Sequence, residues 1–154
     1  MITKDGPKVI EYNCRFGDPE TQVVLPLLKS DLMDIFEAVS KGELDKLTIE
    51  WHEDVSAACV VLASGGYPQK YQTGYPISGL KEAGETACVF HAGTKLGENG
   101  EILTSGGRVL GVTATADHLK EAITMAYAAA EKISFTDLHK RHDIGQRALM
   151  EVQA

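Results

Sequence analysis

The stretch Val9-Ile10-Glu11-Tyr12-Asn13-Cys14-Arg15-Phe16-Gly17-Asp18-Pro19-Glu20 holds the residues best suited to chemistry. In an extended strand alternate side chains share a face. Glu11 and Asn13 then point together, while Ile10 and Tyr12 face packing on the other side. A carboxylate beside an amide oxygen offers two hard oxygen ligands. Magnesium bound to phosphates takes few protein oxygens of this kind and fills its octahedron with substrate oxygens and water. Arg15 leaves the same face two positions on, and its planar fork suits phosphate oxygens. Spacing alone leaves a plainer reading open, because alternating polar residues also mark the solvent side of a strand.

Gly17, Asp18, Pro19 and Glu20 lead into the next element. Asp18-Pro19 suits an N-cap followed by proline at the first helical position. A helix from Pro19 would turn Val23, Val24 and Leu27 inward and kink or end at Pro26. Helix N-termini attract anions, but two carboxylates would repel a phosphate there. Asp18 and Glu20 better suit recognition of an amine or hydroxyl, or the positioning of Arg15.

The elements that must carry these groups can be read from periodicity. Lys8–Asn13 is expected to be a strand. A second helix is expected from a cap near Ser30, with Leu32, Ile35, Phe36 and Val39 on one face and Gly42 as its stop. The texture then changes. Thr48–Trp51, Val55–Ala63, Ala87–Leu96, Glu101–Thr104 and Arg108–Thr115 are rich in β-formers, and Asn99-Gly100 signals a hairpin. Asp117 is expected to cap a helix from His118 to about Ile133. The weak boundary divides the chain into 1–43 and 44–154, an α+β arrangement.

Other groups carry less. Arg108 follows Gly106-Gly107 and is a possible contact to a cleft, although Gly-Gly is ordinary turn chemistry and favours a solvated arginine. His139, His142 and Asp143 resemble part of a metal set that lacks a further ligand. Cys14, Cys59 and Cys88 have no C-x-x-C spacing, which argues against a zinc ribbon or disulfide framework. Cys59 and Cys88 lie in apolar runs and read as buried.

The formal charge of −7 argues against a nucleic-acid partner, since phosphate neutralisation needs clustered cations. No apolar run is long enough to cross a bilayer as a helix. The thiols and the lack of a visible leader give a cytoplasmic setting as the expectation.

The segment from Val9 to Asn13 resembles the metal-binding strand of the ATP-grasp superfamily. With Gly17-Asp18-Pro19-Glu20-Thr21-Gln22 it is similar to the phosphoribosylamine–glycine ligase family within it. The likeness continues in order through Ala63-Ser64-Gly65-Gly66-Tyr67-Pro68, Val89-Phe90-His91-Ala92-Gly93-Thr94, Ser105-Gly106-Gly107-Arg108-Val109-Leu110 and Arg141-His142-Asp143-Ile144-Gly145.

The resemblance implies the end of an ATP-grasp lobe over 1–43. Over 44–154 it implies that family's carboxyl-terminal domain, a small antiparallel, barrel-sandwich-like β domain with a covering helix. It implies a ligase of purine synthesis that joins glycine to 5-phosphoribosylamine through an acyl phosphate, splitting ATP to ADP and phosphate. The cofactors implied are ATP with magnesium or manganese. Glu11 and Asn13 would be metal ligands. Arg15 would act catalytically on phosphate or acyl phosphate. Arg15, Gly17, Asp18, Pro19 and Glu20 would line the substrate side.

Such an enzyme also needs amino-terminal lobes to clamp the nucleotide, and none precedes Lys8 in this sequence. The chain alone is therefore expected to be an inactive fragment, with its missing lobes as natural partner. The apolar surface left on its first helices is expected to drive self-association. The rival reading is a non-catalytic binding or structural module that packs on a partner domain.

Overall fold

The computed structural model describes residues 1–12 and 14–151. Two long antiparallel strands form its centre, β3 (Ser56–Ser64) and β7 (Arg108–Ala116). They pair from Ser56↔Ala116 to Ala63↔Arg108, with a bulge between Leu62 and Ala63. β4 (Cys88–His91) pairs with β7, and β8 (Leu138–His139) pairs with β3, giving the order β4-β7-β3-β8. The hairpin of β5 (Thr94–Leu96) and β6 (Ile102–Thr104) turns through Gly100, at φ 86°, as Asn99-Gly100 predicts.

Side-chain alternation gives this sheet two faces. Ala58, Val60, Leu62, Leu110, Val112 and Ala114 pair on one face and are buried. The helix α4 (Leu119–Ala130) packs on β3 and β7 and buries Ala122, Ile123, Ala126, Ala129 and Ala130. An alanine stripe lets the helix lie close to the large strand residues. Burying each of Val60, Leu62, Leu110 and Val112 stabilises the fold by roughly 1.5–3 kcal/mol. These small antiparallel sheets and their covering helix are as the sequence predicts. α4 begins one residue later than expected, with His118 as its N-cap and no side-chain capping bond.

The other sheet face carries Cys59, Thr113 and Cys88 in one cross-strand row. α1 (Thr21–Val24) lies over this face, and Gln22 Cγ is 3.8 Å from where a Cβ on Gly111 would stand. Cys59 is buried, as expected. Cys88 is exposed, because β4 is an edge strand and leaves its sulfur uncovered.

The amino-terminal region differs more. Lys8–Tyr12 forms no strand, and Ile10 and Tyr12 are 70% and 81% exposed. A strand exists only through a ladder with a neighbour, and among the described residues none is offered to this segment. Among the described residues its backbone–backbone tie is the pair of bonds between Lys8 and Met1, which extends the small hairpin of β1 (Ile2–Thr3) and β2 (Gly6–Pro7).

The helix expected from Pro19 is one turn, α1, followed by a 3-10 turn at Leu25–Leu27 that contains Pro26. α2 (Leu32–Lys41) starts from Asp31, whose carboxylate accepts from the Met33 amide at 2.7 Å, and stops at Gly42 with φ 68°. Ser30, the expected cap, instead accepts from the Glu50 amide at 2.8 Å. Thr48–Trp51 forms no strand; it makes the isolated bridge Leu28↔Trp51, and the Glu50 carbonyl accepts from the Lys29 and Ser30 amides at 3.0 and 3.2 Å. With His52 N–H donating to Leu27 at 2.9 Å, it ties the helical region to the β domain. α3 (Leu80–Gly84) and α5 (Gln146–Glu151) complete the helices.

Candidate functional site

The predicted site residues leave the chain in two groups. Glu11 and Arg15 are exposed and have no ion-pair partner among the described residues. The only hydrogen bond of the Arg15 side chain there runs from Nη1 to the Phe16 carbonyl at 3.4 Å. Asn13 lies outside the described residues. Phe16 packs its ring 6.0 Å from that of Phe36 on α2, which anchors the segment between Arg15 and Gly17.

The second group is the turn from Gly17 to Glu20. It is closed by the Thr21 amide donating to the Gly17 carbonyl at 3.1 Å. The Glu20 carboxylate folds over Gly17, where a Cβ would collide with it. Asp18 is held from two sides. Gln22 Nε2 donates to its Oδ1 at 2.8 Å. Arg108 Nη1 donates to its backbone carbonyl at 2.6 Å, and Arg108 Nη2 stands 3.3 Å from its Oδ2.

Arg108 is therefore not the solvated hairpin exit that its Gly-Gly neighbours favour. Neither Gly106 nor Gly107 has a positive φ. They are glycines because of close approach. A Cβ on Gly106 would come 3.0 Å from the Gly93 Cα, and one on Gly107 would strike the Tyr67 ring. Ser64 closes the same corner, its hydroxyl donating to the Gly106 carbonyl at 2.8 Å. Motifs read separately along the sequence thus meet at one end of the sheet. Sequence reasoning missed Gln22 and the Asp18–Arg108 contact. Their signal was present in the glycine clusters, whose spacing in sequence hides their contact in space.

Between Pro19, Cys59, Val61, Tyr67, Arg108 and His139 lies a cleft of about 450 Å³ with a mostly apolar floor. Burial pushes the Cys59 thiol above its ordinary value, a shift that nearby Thr113 partly opposes. At the rim Arg141 makes a bidentate pair with Asp143, at 2.9 and 2.8 Å, and holds that carboxyl below its ordinary range. Asp143 is thus engaged by an arginine. No group of three or more His, Cys, Asp or Glu side chains able to hold a metal occurs among the described residues.

The beginning and the bulk of the chain each match a known domain. Residues 1–21 match the family model described as phosphoribosylglycinamide synthetase, ATP-grasp (A) domain, so this part is of the ATP-grasp class. Residues 57–147 match the model described as phosphoribosylglycinamide synthetase, C domain. The chain belongs to the phosphoribosylglycinamide synthetase family.

A phosphoribosylamine–glycine ligase from Caldanaerobacter subterraneus is 54% identical over 94% of this chain and 34% of its own length. A trifunctional purine biosynthetic protein, adenosine-3, from Gallus gallus is 51% identical over 97% of this chain and 15% of its own. The crystal structure of a phosphoribosylamine–glycine ligase from Thermotoga maritima superposes with a TM-score of 0.73 at 33% identity, covering 94% of this chain and 35% of that one. The chain thus spans about a third of the length of these single-activity ligases and matches their carboxyl-terminal part.

Proposed function

We propose that this chain is the carboxyl-terminal portion of an ATP-dependent ligase that joins glycine to 5-phosphoribosylamine, releasing ADP and phosphate. The observation that carries the reading is the ordered match of both domain models, the ATP-grasp end and then the C domain. Family membership implies ATP and a divalent metal. An exposed Glu11 carboxylate, with no ion-pair partner among the described residues, is a hard oxygen able to enter a phosphate-bridging site, so the donor chemistry fits. The metal, magnesium or manganese, would neutralise charge on the phosphates when bound.

The chain's own residues then have separate tasks. Glu11 and Asn13 supply oxygens. Arg15, whose only side-chain partner among the described residues is a neighbouring carbonyl, directs its guanidinium to phosphate or acyl phosphate. The turn Gly17–Glu20 lines the substrate side. One or two such ligands hold magnesium poorly without the lobes that carry ATP. The chain by itself therefore shows no ligase turnover and serves as a docking module for those lobes. The setting proposed is cytoplasmic.

The test is Glu11→Ala with Asn13→Ala in a full-length enzyme carrying this sequence. Glycine-dependent ADP formation falls by roughly 10²-fold or more if these groups act on the metal. Retention of the rate assigns the segment to scaffold.

A further inference from the structure

The turn Gly17–Glu20 has local bonds of its own, and a further grip on it comes from ninety residues away. Arg108 is the first residue of β7. Its backbone is fixed by pairing with Ala63 on β3 and by the Gly93 amide, which donates to its carbonyl at 2.8 Å. The glycine contacts at 93 and 106 and the Tyr67 ring on Gly107 leave this corner little freedom. From that base the guanidinium reaches both the main-chain carbonyl and the carboxylate of Asp18. The remaining carboxylate oxygen accepts from Gln22, which α1 carries over the Cys59 face of the sheet.

We propose that Arg108 and Gln22 are positioning residues: together they hold Asp18 and so set the substrate turn Gly17–Glu20 on the rigid end of the C-terminal sheet. The inference rests on the ligase reading for its consequence in catalysis, and on geometry alone for the hold itself. It gives Asp18 an internal role, because both carboxylate oxygens and the carbonyl face protein donors. A bidentate fork is needed, since lysine would present one point of charge to two acceptors.

The hold is tested in this chain by amide hydrogen exchange. Arg108→Ala speeds exchange of the Thr21 amide, which closes the turn, by roughly tenfold or more, while Val60 and Val112 on the central strands keep their rates. Arg108→Lys does not restore the protection. An unchanged Thr21 rate in Arg108→Ala overturns the proposal.

The consequence is tested in a full-length enzyme carrying this sequence. Arg108→Ala and Asp18→Ala each lower kcat/KM for glycine and the amine, and the double variant is no worse than either alone. Additive losses would mean that Arg108 meets substrate directly, and would overturn the positioning role. Should Glu11→Ala leave ADP formation intact, the ligase reading fails while the exchange result still stands or falls by itself.

Discussion

The Tyr127 hydroxyl accepts from the Ile144 amide at 3.1 Å and donates to the Arg141 carbonyl at 2.7 Å. One side chain of α4 thereby fastens the turn that carries Arg141, Asp143 and Gly145 at the rim of the cleft. Tyr127→Phe keeps the ring but strands the Ile144 N–H. It is expected to lower stability by about 1–3 kcal/mol in urea denaturation. An unchanged midpoint would show that water replaces the hydroxyl.

Gly79 and Gly74 separate two costs of adding a methyl group. Both have positive φ, at 79° and 90°. A Cβ on Gly79 would also strike the Lys132 carbonyl, whereas one on Gly74 meets nothing within 4 Å. Gly74→Ala should cost about 1–2 kcal/mol, the ordinary penalty of a left-handed alanine. Gly79→Ala should cost clearly more, read as a lower thermal midpoint. Equal losses would mean that the Lys132 carbonyl yields easily.

The three thiols should react in two classes. Cys14 and Cys88 are exposed and Cys59 is buried. A thiol reagent should label two per chain rapidly and the third only on unfolding. Burial raises the Cys59 pKa above the unfolded value of 9.0. As pH climbs past that value the unfolded chain loses this proton first, so the native state loses stability with rising pH. Cys59→Ala should flatten that alkaline decline in the melting temperature.

The apolar side of α2 is only partly covered, with Met33, Phe36 and Val39 exposed by 61%, 41% and 57% although Phe36 packs on Phe16. The isolated chain is expected to self-associate through it. Light scattering should show a mass above 16.6 kDa that rises with concentration. Met33→Glu with Val39→Glu, both on that exposed face, should return it to monomer. A monomeric parent chain at all concentrations would remove this expectation.

The sequence marks its β domain clearly because the segments that form it also complete it. β3 and β7 supply each other's hydrogen bonds and share a core with α4, so hydrophobic patterning and β-propensity agree with the final fold. Helix stops were equally clear where a single residue decides them, as at Gly42. Lys8–Tyr12 is different. Its alternation is that of a strand, but no ladder among the described residues receives it. The candidate residues of the site were nameable from type and order alone. The clasp on Asp18 was not, because it depends on Arg108 and on glycines whose only clue is what a Cβ would hit.

The single tryptophan, Trp51, is half exposed where it bridges to Leu28, away from the buried sheet core. Its fluorescence therefore reports the contact between the helical region and the β domain. Far-ultraviolet circular dichroism follows the sheet and α4 instead. If the emission and circular-dichroism curves coincide, that joint and the core come apart together; an earlier emission transition would mean the joint opens first.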